Sequence, residues 1–519
     1  MDLYERLASY VPTVLVVSVV YCASVSFYRI FLHPLAKVPG PWPAATSHLV
    51  EFYYDVLRDG QYIAKIKEWH GVYGPILRIG PNEVHCNDPM FIDQIYAGSG
   101  SGKKRDKTVR FSNAIGYAGL CTIPHDLHRQ RRAVLNKYFS AASIRNIEPF
   151  IKERLQKVCY HLDNYYSREG NAANLSDALS CVAIDVVSEF VFGFSYNYSD
   201  SPSFLPNINS AIDGSSSLNH LAAFFPWVLK LLNMIPQRII LKISPDLKAM
   251  LEYKTKLEHS VDTVRDEASL NAAKKSRMGA TIFTEMLQSD LPESEKTKQR
   301  FNDEAFALIG AGTETVSTAA SIGSYYLLTQ PGILDKLLLE LEHNIPDPDS
   351  IPDWVTLEQL PYLGAVIQES LRLSYGIVTR LERVPHEPLA YHCMFKDKHV
   401  DLVIPAGTII GMSNGVHHHN EDIFPGSYSF IPERWLEENG KRKRELDAQL
   451  LSFSKGSRQC IGINLAYAEM HLFIATLFRR FGRRMRLVDT SKSEVTLARD
   501  HYLPKRESNT GVRVCIGSA

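Results

Sequence analysis

The sequence predicts a mainly α-helical protein with small β-sheets, preceded by one N-terminal transmembrane helix. Three observations predict it. Residues 10–28 form an uncharged run close to the length that crosses a bilayer. Helical patterning fills most of the chain beyond residue 43, above all residues 301–330 and 464–481. Strand signals are few and short, the clearest being residues 76–79 and 84–86 on either side of Gly80-Pro81-Asn82. The 519 residues, 45% of them hydrophobic, are ample for a large core. Charged residues make up 22% with zero net charge, so no nucleic-acid partner is indicated. The eight cysteines are scattered with no C-x-x-C pair, which excludes a zinc ribbon or disulfide framework and fits a reducing compartment.

Taken in order, residues 1–9 are the lumenal end and residues 10–28 the membrane span, with Pro12 near the helix start where it is tolerated. Arg29, His33 and Lys37 come after the span and Asp2 and Glu5 precede it, which places the body in the cytosol. No basic n-region or small-x-small cleavage site marks a signal peptide. Residues 29–43 contain Pro34, Pro39, Pro41 and Pro43 and read as a stiff hinge, outside any helix or central strand. Residues 44–519 form the globular body. Within it, 76–86 is a hairpin and 125–194 mostly helical, with 177–192 an interior helix. Residues 218–243 are apolar, broken by Pro226 and Pro236; they read as core helices or as a lid that dips into the membrane surface. Residues 289–298 are a polar loop. The 301–330 helix is stopped by Pro331-Gly332, and helices over 334–344 and 357–373 come next. Residues 404–408 signal a strand and turn, and 464–481 the last long helix.

Phe453-Ser454-Lys455-Gly456-Ser457-Arg458-Gln459-Cys460-Ile461-Gly462 holds one cysteine in a tight, basic loop just before that helix. Gly456 permits a bend that other residues resist, and Gly462 lets the chain approach something flat. Backbone N–H groups and the helix N-terminus stabilise charge on sulfur, so a thiolate here is poised to bind a metal. The pattern Phe-x-x-Gly-x-Arg-x-Cys-x-Gly resembles the haem-binding loop of cytochromes P450, in which the cysteine thiolate is the proximal iron ligand.

Further elements, in the family's order, extend the resemblance to essentially the whole chain, and it implies the cytochrome P450 fold. Ala311-Gly312-Thr313-Glu314-Thr315, in the long helix, is similar to the family's distal acid–alcohol element. Glycine weakens a helix there and a threonine hydroxyl bonds back into the turn. The resemblance implies that Glu314 and Thr315 deliver protons beside Ala311. Val316 departs from the family, which often has a second hydroxyl there. Glu369-Ser370-Leu371-Arg372 places a glutamate and an arginine on one helix face. Phe430-Ile431-Pro432-Glu433-Arg434-Trp435 resembles the Pro-Glu-Arg-Phe segment, implying a structural Glu369–Arg372–Arg434 cluster that steadies the cysteine loop. Residues 125–132 resemble the family's arginine-bearing helix and imply that Arg132 and His128, the latter in place of the usual tryptophan, bind haem propionates. Arg383 and Arg458 are further propionate candidates, with Arg380 a rival to Arg383. Phe453 and Gly462 flank the haem. His417-His418-His419 does not read as a metal site, because neighbours in a strand point to opposite faces.

The resemblance is strongest to microsomal P450s of fungal secondary metabolism similar to trichodiene oxygenase. It implies haem b (iron protoporphyrin IX) on Cys460 and insertion of oxygen from O2 into a hydrophobic small molecule, a terpenoid or polyketide. Residues 111–117, 218–225, 307–315, 377–379 and 502–503 correspond to pocket-lining regions. No nicotinamide or flavin motif is visible, so electrons come from NADPH through a separate NADPH–cytochrome P450 reductase. Arg129, Arg131, Lys137, Lys441, Arg442, Lys443, Arg444 and Lys455 are candidates to dock it, with a merely solvated charge run the alternative for 441–444. The implied location is the endoplasmic reticulum membrane, single-pass, with the catalytic domain cytosolic. A haem-thiolate rearrangement enzyme needing no NADPH, and a non-catalytic membrane-anchored haem or lipid binder, are the rival functions.

Overall fold

The apolar N-terminal run forms helix α1 (Leu3–Phe27) and continues through a π-helical turn, Tyr28–Leu32. In this computed structural model, residues 3–110, 116–167, 171–205, 208–234, 245–269 and 281–517 are described. The apolar stretch that qualifies as a span is Tyr10–Leu32, 23 residues with none of that surface buried. At 1.5 Å per residue that is about 34 Å, enough for a hydrocarbon core of about 30 Å. The helix thus outruns the expected 10–28 at both ends, and from Leu3 onward the supposed lumenal end is its first turns. Arg29 does not end it, because the guanidinium reaches sideways to the carbonyl of Thr46.

The hinge is docked against the body instead of standing clear of it. Leu35 and Val38 are buried in an apolar cluster with Ile76, Val84, Phe91 and Ile404. Arg78 N–H donates to Pro39 O (2.7 Å) and Arg78 Nη1 to Arg29 O (2.7 Å). Pro43 is also helical, in the first turn of Trp42–Thr46, where no N–H is needed.

Strands β1 (Ile76–Gly80) and β2 (Glu83–Cys86) make the expected antiparallel hairpin. Helices α2 (His125–Asn136), α3 (Ala141–Tyr165) and α4 (Leu175–Phe192) come next. α4 opens with the Asn174 side chain accepting from Ser176 N (3.1 Å) and closes at Gly193, φ +84°. Between those signals nearly every side chain is buried, as an apolar run without a polar face requires.

Helices α5 (Asn209–Ser217), α6 (Asn219–Phe224) and α7 (Pro226–Met234) come next; Ile212, Ser215 and Ser216 on α5 and Asn219 on α6 form part of the cavity roof. The described part of 218–243 divides into an inward-packed and an outward-facing helix. α6 packs inward, with Ala222 buried and Phe224 edge-on to Phe52 at 5.4 Å. α7 leaves Trp227, Leu231 and Met234 exposed. Residues 235–243 of that stretch, with Pro236, lie outside the described residues.

Helix α8 (Pro245–Ser269) leads to α9 (Lys298–Thr329), the long central helix, capped by the Thr297 hydroxyl on Arg300 N. Pro331-Gly332 does end it, but by starting α10 (Pro331–Asn344), with Pro331 in the first turn. The helix expected over 357–373 is α11 (Pro361–Ser374), preceded by a separate turn Trp354–Leu357, because Pro361 cannot sit inside a helix. A hairpin, β3 (Leu389–Phe395) and β4 (Lys398–Ile404), precedes β5 (Ile409–Gly411), which adds parallel to β2 with Val84 opposite Ile410. Helix α12 (Ile463–Phe481) and the hairpin β6 (Leu497–His501) with β7 (Leu503–Arg506) complete the frame. The core lies where α3, α4, α9, α11 and α12 meet, with Phe301, Phe473 and Phe478 fully buried. Gly312 lets α9 pass close to α4: a Cβ there would lie 2.9 Å from Val187 Cγ2.

Candidate active site

A cavity of about 300 Å³ lies between the middle of α9 and the loop ahead of α12. The loop owes its shape to Gly456, at φ +73°, where a Cβ would meet Tyr96 O at 2.1 Å. Ser457 N–H donates to Ala97 O (3.0 Å) and Cys460 N–H to Phe453 O (2.8 Å), which closes the loop on itself. Cys460 Sγ is left open to the cavity. Burial pushes its thiol up, while the Gly462 N–H and Arg132 pull the other way. Gly462 caps α12, and a Cβ there would project to 3.9 Å from Sγ. The Phe453 ring packs on Tyr467, centroids 5.3 Å apart.

Ala311, Gly312, Thr315 and Val316 line the cavity from α9. Thr315 Oγ1 donates to Ala311 O (2.8 Å), so its lone pairs remain for a second partner. Glu314 is half-buried next to it and accepts from Thr318 Oγ1 (3.0 Å). Burial, reinforced by Asp213, pushes Glu314 up to about 7 against the pull of Arg506 and Lys505. Thr318 escaped the sequence reading, though its i+4 spacing from Glu314 is the available signal.

Lys107, His128, Arg132, Arg383 and Arg458 converge on the cavity. Arg132 donates to Gln459 O, Arg383 Nη2 to Ser454 Oγ (3.0 Å), and Arg458 to Thr122 O (2.6 Å) and Ile123 O (2.8 Å). Arg458 Nε is buried without a partner. Burial and the neighbouring Arg383 and Arg132 push Arg458 down to about 9; burial pushes Lys107 down to about 7 and His128 to about 2. Such crowded cations call for anions from outside the chain. A flat group with two carboxylates and a metal for one thiolate, which is haem, fits this donor set. Lys107 was missed, since a lone lysine in a loop gives no signal in sequence. Arg380 does not line this cavity: it is paired with Glu51 (2.8 Å) and Asp55 (3.2 Å).

Glu369, Arg372 and Arg434 meet behind the loop. Both Glu369 and Arg372 are fully buried, at 0% exposure, which makes complete pairing obligatory. Arg372 donates to both Glu369 oxygens (2.9 and 2.7 Å) and to the carbonyls of His418, Ser427 and Ser429. Glu369 also accepts from Arg434 Nε (3.2 Å), Ile431 N (3.0 Å) and Trp435 Nε1 (2.8 Å). The last bond is one that phenylalanine, usual in the family's motif, cannot make.

The three histidines 417–419 are not in a strand. Asn414–His417 is a helical turn, formed because Ser413 accepts from His417 N. His418 bonds Arg372 O through Nδ1 (2.9 Å) and accepts from Leu451 N at Nε2 (3.0 Å), linking α11 to the chain entering the cysteine loop. Burial pushes it well below its ordinary value.

Of the docking candidates, Arg131 is a correction. It is buried and held by Glu295 (2.6 and 2.9 Å), so it is not on a docking face. Arg129, Lys441, Lys443 and Arg444 are exposed, Lys137 is exposed but paired with Glu285, Arg442 pairs with Asp447 (3.1 Å), and Lys455 is half-buried. Of the pocket candidates, Ala307, Leu308, Ile377, Tyr502 and Leu503 line the cavity. Thr379 faces a neighbouring pocket, only Asn219 of 218–225 reaches the cavity, and residues 111–115 lie outside the described ones. Val187, Ile212, Ser215, Ser216 and Tyr253 also line it and were not anticipated.

The family profile for cytochrome P450 matches residues 40–504. The cytochrome P450 monooxygenase MO6277 of Ascocoryne sarcoides is 40% identical over 510 residues, 95% of this chain and 96% of its own. Tryptophan 6-hydroxylase fscE of Fusarium equiseti is 38% identical over 97% of this chain and 96% of its own. Conidiogenone synthase PchP450 of Penicillium rubens is 37% identical over 94% and 95%.

Proposed function

Because the chain belongs to the cytochrome P450 family and is a haem-thiolate monooxygenase, we propose that it hydroxylates an apolar terpenoid or polyketide of fungal secondary metabolism. The observation that supports this reading best is Cys460 Sγ facing Ala311 and Thr315 across one largely apolar cavity. Cys460 would hold haem b at its iron, and Lys107, His128, Arg132, Arg383 and Arg458 would take its carboxylates; the group would supply oxygen activation, with electrons from NADPH through a separate reductase. Thr315 Oγ orients a water or ligand at the cavity wall. Glu314 holds a proton beside it near neutral pH, within the electrostatic reach of the Asp213–Lys505 pair (2.9 Å). Phe453 and Gly462 keep the thiolate side flat and dry. Glu369, Arg372 and Arg434 hold the loop from behind. The apolar lining excludes water and orients substrate by shape.

Residues 44–519 form the catalytic domain, on the cytosolic side of the endoplasmic reticulum membrane, anchored by the single N-terminal helix. Arg129 and residues 441–444 meet an acidic reductase surface. A second reading, an aromatic amino-acid substrate, is favoured by the name of the Fusarium relative and by Ser215, Ser216 and Asn219 on the cavity wall.

Co-expression with a reductase, feeding of terpenes, polyketides and tryptophan, and mass spectrometry test both readings. Gain of one oxygen by a terpene or polyketide, dependent on NADPH, is the expected result. Oxygenation of tryptophan alone moves the substrate to the second reading. An isomerised product formed without NADPH overturns both.

A further inference from the structure

A second buried polar cluster adjoins the active-site cavity, sharing Asn219 and Tyr502 with it through a small side pocket. Here Glu51, Asp55, Glu83, Glu382 and Asp500 are buried around two guanidiniums, Arg110 and Arg380. Five carboxylates share two arginines and the His220 imidazole, which Asp55 and Asp500 hold up at about 9 against burial; burial in turn pushes Glu83 up to about 8 and raises Asp55, so the cluster is short of positive charge. Burial of uncompensated charge is costly, so this cluster calls for a cation.

Asp55, His220 and Asp500 supply the geometry. Each places one ligand atom within 4.8 Å of the other two. His220 Nε2 donates to Asp500 O (2.5 Å), which leaves Nδ1 with its lone pair. A bond of that kind, from the far ring nitrogen to a carbonyl, is how a ligating imidazole is usually oriented. Nδ1 lies 3.7 Å from the Asp55 carboxylate at Oδ2 and Nε2 3.7 Å from Asp500 Oδ1, too long for hydrogen bonds, so the imidazole sits between the two carboxylates at a spacing that ligands on one ion can share. Each carboxylate spends one oxygen on the protein: Asp55 Oδ2 accepts from Arg380 Nη2 (3.2 Å) and Asp500 Oδ1 from Tyr502 N (2.8 Å). The other oxygens, Asp55 Oδ1 and Asp500 Oδ2, are buried with no partner, and both residues are only 2% exposed.

We propose that Asp55, His220 and Asp500 form a divalent-cation site, suited by one imidazole and two carboxylates to zinc or a similar borderline ion. The ion would fasten three separate elements: the turn after Leu49–Phe52, the roof helix α6 and the β6–β7 hairpin. Because Asn219 precedes His220 and lines the cavity, the fastening bears on the wall that substrate must pass. The rival occupant is a proton on His220.

The test uses the full-length, haem-loaded protein in detergent, stripped with EDTA and titrated with zinc, with zinc per haem measured after gel filtration. The wild type is expected to retain one equivalent. His220→Gln and Asp500→Asn are expected to weaken retention by roughly tenfold or more, while Asp59→Asn, outside the set, leaves it unchanged. The reduced-CO spectrum reports whether each variant is folded, and Asp500→Asn decides if His220→Gln does not load haem. A wild type that retains no zinc overturns the proposal in favour of the proton, and so does a folded variant that retains as much zinc as the wild type.

Discussion

Thr315 has already given its hydroxyl hydrogen to Ala311 O (2.8 Å), so it meets the cavity first as an acceptor. Thr315→Ala should therefore leave the haem site intact but starve the reaction of an ordered proton path. Product per NADPH consumed is expected to fall about tenfold or more while NADPH oxidation continues and peroxide rises. Product yield equal to wild type would remove Thr315 from the mechanism. Glu314, raised to about 7, makes a second expectation. Below that pH it is a neutral acid able to give up a proton; above it the carboxylate cannot. Coupling should decline as pH rises through about 7, and Glu314→Gln should flatten that profile. Thr315, Glu314 and Cys460 were legible because each sits in a short pattern of fixed spacing. Lys107 was not, because only the folded chain brings its loop to Arg383 and Arg458.

Among elements, α11 is the one through which the cysteine loop is held. Its arginine has every donor used, and His418 passes the connection on from Arg372 O to Leu451 N. Trp435→Phe removes one donor to a buried carboxylate and is expected to cost about 1.5–3 kcal/mol, measured as a lower midpoint of thermal haem loss. Arg372→Lys should be far worse, since three donors on a point charge cannot replace a five-donor fork. Retention of full haem occupancy by the lysine variant would contradict this account. At this scale the sequence was a good guide to which elements exist and a poorer one to where they begin. Pro361 and Pro331 turned out to start helices that the apolar pattern alone would place a few residues away. The histidines 417–419 were misread as strand because nothing local announces the Ser413 cap.

For the molecule as a whole, buried histidines set the acid limit. Burial holds His70, His417 and His471 down at about 4 and His419 at about 3. Once unfolded they bind protons below about 6.5. Between about pH 6.5 and 4 the unfolded chain therefore holds more protons, and stability rises with pH through that window. Each such group adds about 1.4 kcal/mol per pH unit at most. Glu314, Glu83 and Glu469, raised by the same burial, oppose this above about pH 4.5, but His85, His128 and His418 are held down as well and add to the four. Thermal denaturation followed at the Soret band should show a midpoint that drops steeply from pH 6.5 to 5, and a flat profile would refute the account. The overall helical architecture and the apolar N-terminal helix were readable from composition and period, whereas the docking of Leu35 and Val38 was not, because prolines announce stiffness without saying what they lie against. That docking has a mechanical outcome. With Arg78 grasping the carbonyls of Arg29 and Pro39 just past the apolar helix, the body is not a buoy on a slack tether. Under the membrane anchoring proposed above, its tilt and height would be dictated at that exit point, and a flavoprotein partner on the same membrane would always be offered one face.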